Sequence, residues 1–280
     1  MYEIRQLTNH HELVSFLAPR YDSSMFLLGN AESAGLNDQN KRIQGTYLGA
    51  YRDGELCGVL AHYWNGNLIL QAPQGLSALL DALPQFTYGA DHGRPRPIQG
   101  ILGTLAQSEA ALAHLKLTPQ DLRLYSRERL FSLDLHQLKH APVPPSSLIR
   151  SFTQDELELF TRWKVAYTME ALDQPDSEQL WAESRELAQI QIDEQSFYVL
   201  EHAGQPVSCS TFNTRTQTMV QIGGVWTPPE HRCQGFARCV VAASLNTARE
   251  HGVTRAILFT GHNNQSAIKA YRALGFQEVG

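Results

Sequence analysis

Short apolar runs alternate along this chain with amphipathic stretches, and the order of the two recurs. Ile4-Arg5-Gln6-Leu7-Thr8, followed by Glu12-Leu13, predicts a short strand, a threonine N-cap and an amphipathic helix; Ile149-Arg150-Ser151-Phe152-Thr153, followed by Glu156-Leu157, predicts the same. Tyr47–Tyr51 and Leu56–Ala61 flank Asp53-Gly54, the signature of a hairpin. Phe197–Glu201 and Pro206–Phe212 flank Ala203-Gly204 in the same manner. A third strand is expected in each case, over Asn67–Gln71 and Thr218–Val225. Further on, Ile101-Leu102 with Gln107-Ser108 lines up with Ile257-Leu258 and Gln265-Ser266. The shared order predicts a duplicated α/β unit, each copy a mixed, mostly antiparallel sheet flanked by helices. Between the copies, His140-Ala-Pro-Val-Pro-Pro-Ser-Ser147 carries three prolines, which favour an extended spacer over a helix or a central strand. The expected division is therefore 1–139, a linker at 140–147, and 148–280.

Composition narrows the function classes. The chain has 280 residues, 42% hydrophobic and 18% charged, with a formal net charge of −5. That is globular composition, and it argues against nucleic acid as a partner because phosphate binding needs a basic face. No apolar run is long enough to span a membrane, and the N-terminus lacks a basic start followed by an apolar stretch, so neither membrane nor export is expected. Cys57, Cys209, Cys233 and Cys239 form no CxxC pair and no disulfide scaffold, which points to a reducing cytoplasm. The eleven histidines are scattered, with neither H-x-x-x-H nor a Cys/His cluster, so no metal is expected.

Two segments carry chemistry. In Gln221-Ile-Gly-Gly-Val-Trp-Thr-Pro-Pro-Glu-His-Arg-Cys-Gln-Gly-Phe-Ala-Arg238, two glycines sit inside a strand, where they weaken the sheet unless a bulge or a close approach is required. Arg232-x-x-Gly235-x-Ala237 then opens a helix with Ala237, Val240, Val241, Ser244, Leu245 and Ala248 facing inward and Gly252 past its end. A helix start with small residues can seat a pyrophosphate on unpaired N–H groups. It is neither a Walker loop nor G-x-G-x-x-G. The second segment runs from the apolar strand Arg255–Thr260 through Asn264 or Ser266 as helix cap to Ala267, Ala270, Tyr271 and Leu274 on one face, with Gly275 ending the helix. Taken alone, Tyr271 reads as a core aromatic.

The two segments in this order resemble the GNAT superfamily, through Arg232, Gly235, Ala237, Asn264, Ala267, Tyr271, Leu274, Gly275 and Phe276. The flanking Gly-Gly-Val-Trp-Thr-Pro-Pro-Glu is similar to that of a bacterial acetyltransferase subgroup with an extra N-terminal domain. The resemblance implies an N-acetyltransferase that moves an acetyl group from acetyl-CoA to a small-molecule or peptide amine by direct attack. The alternative is a non-catalytic acyl-CoA sensor of the same fold. Thr218–Val225 would splay from Ala256–Thr260 to admit pantetheine, with the Gly223-Gly224 bulge at the opening. Backbone groups of Val225 and Thr227 would face the thioester and pantetheine, a donor near Val225 polarising the carbonyl. Arg232, Cys233, Gln234, Gly235, Phe236, Ala237 and Arg238 would form the pyrophosphate loop. Asn264 and Ala267 would flank the pantetheine arm, and Tyr271 would protonate the departing thiolate. A cysteine nucleophile is not expected, since no His/Asp pattern activates one. Glu170, Tyr167, His231 and His262 are the candidates for the general base.

Two departures from the family pattern stand out. Only four residues follow Phe276, where relatives continue into a last strand. Either the chain is cut short or another segment completes the sheet; Arg123–Leu135 is strand material but falls in the first copy. That first copy has lost the signature: Ala72-Pro73-Gln74-Gly75-Leu76-Ser77 lacks the arginine and the long loop, and Ala113, counted from the shared Gln-Ser, replaces Tyr271. A degenerate first domain is expected, one that binds no CoA and packs on the second.

Overall fold

The computed structural model describes residues 1–87 and 95–280. The chain forms two compact units, Met1–Tyr125 and Ser126–Gly280, of the expected mixed α/β class.

In the first unit the order is β1 (Glu3–Gln6), α1 (His10–Leu17), α2 (Tyr21–Ala34), β2 (Gly45–Arg52), β3 (Glu55–Tyr63), β4 (Asn67–Gln71), α3 (Leu76–Phe86), β5 (Gly100–Leu102) and α4 (Leu105–His114). The strands pair in chain order, antiparallel except for the parallel β4–β5 pair. Both faces of the sheet are covered. Tyr47, Val59, Ala61 and Tyr63 pack with Leu13, Leu17 and Leu27, whereas Leu48, Leu60, Leu68 and Leu70 pack with Leu79 and Leu83. Two-sided burial is why β2 and β3 read as nearly continuous apolar runs. The cap of α1 is Asn9, whose side chain accepts from the His11 and Glu12 amides, and not Thr8; asparagine one position on is the stronger cap and sits where the helix turns.

Asp38 and Arg96 form an ion pair of 2.8 Å with both side chains almost fully buried. The Arg96 guanidinium also donates to the His62 carbonyl, and the His62 ring lies 3.4 Å from the Pro97 carbonyl. Burial, and then the nearby Arg96 charge, push the His62 imidazole down to about 4. An unfolded chain restores an ordinary value near 6.5. The unfolded state therefore binds the extra proton between these values: stability is full above pH ~6.5, falls as pH drops toward 4, and loses about 3 kcal/mol in all. Denaturant unfolding followed at Trp64 should show this loss in the wild type and a shallower pH slope in His62→Gln. Equal slopes would contradict it.

The second unit begins with β6 (Glu128–Asp134) and continues with β7 (Ser147–Ser151), α5 (Leu157–Leu172), α6 (Glu178–Asp193), β8 (Phe197–His202), β9 (Gln205–Arg215), β10 (Met219–Trp226), α7 (Phe236–Glu250), β11 (Arg255–Gly261), α8 (Gln265–Leu274) and β12 (Gln277–Glu278). From β7 to α8 it repeats the element order of the first unit, strand, two helices, three strands, helix, strand, helix. Both hairpins turn on a non-glycine–glycine pair with positive φ, Asp53-Gly54 and Ala203-Gly204, as the twist of the flanking strands requires.

The strand order is β12-β6-β11-β10-β9-β8-β7. The segment expected to close the first sheet instead lies between β11 and β12 of the second, in register from Arg255↔Asp134 to Gly261↔Glu128. It takes the place beside β11, with the short β12 on its far edge. The division between units accordingly falls at Tyr125/Ser126, ahead of the position 139 expected from the prolines. The proline segment is part of the second unit, where Ala141 is buried and Cys239 donates to the Pro142 carbonyl at 3.1 Å. Prolines marked an extended passage correctly but not a boundary. On one face, Phe152, Phe160, Trp163 and Phe197 pack around Cys209 and Trp226; on the other, α7 and α8 pack on Phe131, Leu133, Phe212, Ile222 and Leu258. Phe236 and Cys239 join the expected inward face of α7.

Candidate active site

The parallel ladder between β10 and β11 runs from Met219↔Arg255 to Ile222↔Leu258 and stops, although β10 continues to Trp226 and β11 to Gly261. The two strands part there, as the family resemblance implied. On the other edge of β10 the pairing with β9 slips between Gly223 and Trp226, a bulge that gives two β10 positions no partner of their own. Gly224 occupies it with φ of 54°. At Gly223 a Cβ would come within 1.9 Å of the Asn213 side chain, and the Gly223 carbonyl accepts from Thr211 Oγ1 at 2.9 Å. Each glycine thus has its own reason, one steric and one conformational. Val225 packs on the α7–α8 side, and the Thr227 hydroxyl lies 2.8 Å from Ser208 Oγ.

Beyond Trp226 the chain makes a single helical turn, Pro229–His231, and reaches α7 through Cys233 and Gly235, both with positive φ of 61° and 81°. Gly235 is the N-cap, and no side chain caps the helix. The leading amides across Phe236, Ala237 and Arg238 are therefore available at the positive end of the helix dipole. Space is available too: a Cβ on Gly235 would meet only Arg238 Nη2, at 3.7 Å, while Cys233 and Gln234 are exposed. Arg238 Nε is buried without a hydrogen-bond partner. An uncapped helix start beside an unsatisfied guanidinium fits an anionic group.

Arg232 has a different part from the one expected. Its Nε donates to the Thr227 carbonyl at 2.9 Å, its Nη2 to Glu170 at 2.9 Å, and its guanidinium lies 4.9 Å from the centre of the Trp226 ring. It ties the loop to the end of β10 and to α5.

In α8, Asn264 is the cap and accepts from the Ala267 amide at 3.1 Å, which occupies that amide and leaves the Asn264 side-chain N–H groups as donors. Tyr271 is 8% exposed, packs edge-on against Phe276, and has no hydrogen bond to its hydroxyl among the described residues. Burial, and then the neighbouring Tyr167, raise its pKa well above the usual phenol range. Tyr167 belongs to the α5 side of the sheet and Tyr271 to the α8 side, yet the two interact.

Of the base candidates, Tyr167 is the one that acts electrostatically on Tyr271. Glu170 is bound to Arg232, His231 lies in the loop turn, and the His262 ring is 3.4 Å from Arg129 Nη2. The sequence reading passed over Glu128. At the end of β6 opposite Gly261, it acts electrostatically on Tyr167. The signal was divided between two observations, a strand with no place in the first copy and a sheet with no last strand. Burial raises the Cys209 thiol to about 12 and also raises Cys239, so neither is an activated nucleophile. Among the described residues no group of histidine, cysteine and carboxylate side chains could hold a metal, and no helix is long and apolar enough to cross a membrane.

Residues 164–276 match the acetyltransferase (GNAT) family model. This region resembles the GNAT family. Rat N-acetyltransferase family 8 member 2 is 33% identical over 90 residues, 30% of this chain and 40% of that protein. Human N-acetyltransferase 8 is 34% identical over 67 residues, 24% of this chain and 30% of that protein. The chain thus spans less than half the length of the curated relatives it matches. Along nearly its whole length the fold is that of a GNAT-family acetyltransferase from Colwellia psychrerythraea (TM-score 0.56, 16% identity, 99% of this chain and 96% of that one). It is likewise that of a tandem GNAT protein from the clavulanic acid biosynthesis pathway (TM-score 0.52, 12% identity, 99% and 95%). Two GNAT-like sheets in one chain therefore have a solved counterpart.

Proposed function

We propose that the second unit transfers an acetyl group from acetyl-CoA to a primary amine. The observation that carries this reading is the parting of β10 and β11 beyond Ile222 and Leu258, followed in the chain by the uncapped start of α7, with Tyr271 buried in the α7–α8 core. The acyl donor is a substrate, held by the leading amides of α7 and by Arg238 at its pyrophosphate and by the Asn264 amide group along its arm. A backbone donor near Val225 polarises the thioester carbonyl. The amine attacks directly, so orientation, carbonyl polarisation and a proton donor suffice, and Tyr271 supplies the proton to the leaving sulfur.

In this reading the first unit takes no acyl-CoA. Its corresponding crossover is only residues 72–75, its helix start sits on the sheet so closely that a Cβ on Gly75 would lie 2.6 Å from Ala50, and Gln107 accepts from the Ala72 amide at 2.7 Å. Counted from the first residue of each helix, the counterpart of Tyr271 is the buried Ala111, two positions before the one expected from the Gln-Ser alignment. Neither alanine carries a proton.

Release of CoA thiol from acetyl-CoA should be stimulated by at least one member of a panel of spermidine, lysine, glucosamine, kanamycin and a free-N-terminal dipeptide. Silence across the panel with acetyl-CoA binding intact would favour the sensor reading.

A further inference from the structure

The strand inserted between β11 and β12 brings one ionisable group to the mouth of the site. In β6, Phe131 and Leu133 face the α7–α8 core, so Glu128, Leu130 and Ser132 project to the opposite face, the side of α5. Arg129 points the other way and is held by Glu278 at 3.0 Å. The Glu128 backbone is fixed by its pairing with Gly261, and the adjoining His262 amide donates to the Arg127 carbonyl at 3.1 Å. Gly261 ends the splayed part of β11. Glu128 is thus placed at the open end of the gap and on the face away from α7, whose start would hold the donor. Its side chain retains exposed surface, and among the described residues it has neither an ion pair nor a hydrogen bond. It acts electrostatically on Tyr167, which in turn acts on Tyr271.

Resting on the transferase reading, we propose that Glu128 is the general base that deprotonates an alkylammonium acceptor. A primary ammonium group gives one proton to the Glu128 carboxylate, directly or through one water. The freed nitrogen lone pair forms the C–N bond to the acetyl carbonyl carbon. The C–S bond then breaks with its electron pair on sulfur, Tyr271 protonates that sulfur, and the second nitrogen proton returns the Tyr271 phenolate to phenol through solvent. Glu128 releases its proton to solvent, so one ammonium and one thioester give one amide, one thiol and one proton. Desolvation of the carboxyl, on a residue exposed overall, moves the Glu128 pKa up from the ordinary carboxylate value, the direction a base needs. Accepting a cation suits the site: among the described residues the carboxylate has no ion-pair partner, whereas Glu170 is already bound to Arg232.

The test uses Glu128→Gln in the full chain, with acetyl-CoA affinity measured by calorimetry as the check on folding and donor binding. Two acceptors are compared: the panel amine most active with the wild type, and hydroxylamine, which is largely unprotonated at neutral pH and needs no base. The expected result is a loss of about 10²-fold or more in kcat/KM for the alkylamine, with hydroxylamine turnover within about threefold of wild type and acetyl-CoA affinity unchanged. Equal losses for both acceptors, or no loss for either, with acetyl-CoA affinity intact, would overturn the assignment of Glu128 alone. A wild type that binds acetyl-CoA but turns over no panel amine would overturn the transferase reading and this assignment with it. Loss of acetyl-CoA binding in the variant would place Glu128 in the support of the donor site and overturn its role as a base.

Discussion

Gly235→Glu should abolish acetyl-CoA binding, by at least about 10²-fold in Kd, while the chain remains folded. The two halves of this expectation have separate causes. Gly235 sits at φ of 81°, a left-handed conformation that costs a residue with a Cβ about 1–2 kcal/mol. A carboxylate at the start of α7, however, offsets part of that cost, about 0.3–1 kcal/mol, through the helix dipole. The net change is small against the stability of a domain of this size. Binding has no such compensation. The new carboxylate would take the leading amides that the pyrophosphate needs and would repel its charge. Gly235→Ala separates the two effects: a methyl group there meets only Arg238 Nη2 at 3.7 Å, so it carries the strain without the charge and should retain measurable affinity. Equal loss in both variants would assign the effect to the backbone and remove the anion site from the interpretation.

Tyr271→Phe should lower kcat by about 10²-fold with KM nearly unchanged, the signature of a group that acts in the transition state. Packing predicts little else. The ring contacts Phe276 edge-on and the hydroxyl has no hydrogen-bond partner among the described residues, so removing the oxygen leaves neither a cavity nor an orphaned donor there, and stability should stay within about 1 kcal/mol. The raised phenol pKa keeps Tyr271 in its proton-bearing form throughout the working pH range. It also makes the phenol a weaker acid, but the dry surroundings that raise it raise the basicity of the leaving thiolate in parallel. Wild-type kcat in the variant would reduce Tyr271 to a packing residue.

The sequence was most informative where local chemistry decides the outcome. Gly223-Gly224 announced a bulge because glycine inside a strand needs a reason, Gly235 and Gly275 marked helix boundaries, and Asn264 was one of two named caps. The parting of β10 from β11 was implied by the family resemblance and not by the glycines alone. It was least informative where a partner distant in sequence decides. Glu128–Asp134 reads as a strand from its own residues, but which sheet it joins depends on an open edge beside β11 more than a hundred positions later. Glu128 was hidden for that reason and not through any ambiguity of its own. Arg232 shows the same limit at a shorter range: the motif fixed its position, whereas the Thr227 carbonyl, Trp226 and Glu170 fix where its side chain goes. Thr8 gave way to Asn9 because two adjacent residues both suit an N-cap, and only the helix's point of departure chooses between them.

The most direct test of acyl-CoA binding by the second unit is isothermal titration of the full chain with acetyl-CoA. One molecule should bind per chain, through the start of α7 and the gap beside β10, with Gly235→Glu silent under the same conditions. No binding by the wild type would contradict the acyl-CoA site itself, and two molecules per chain would contradict the proposal that the first unit takes no acyl-CoA.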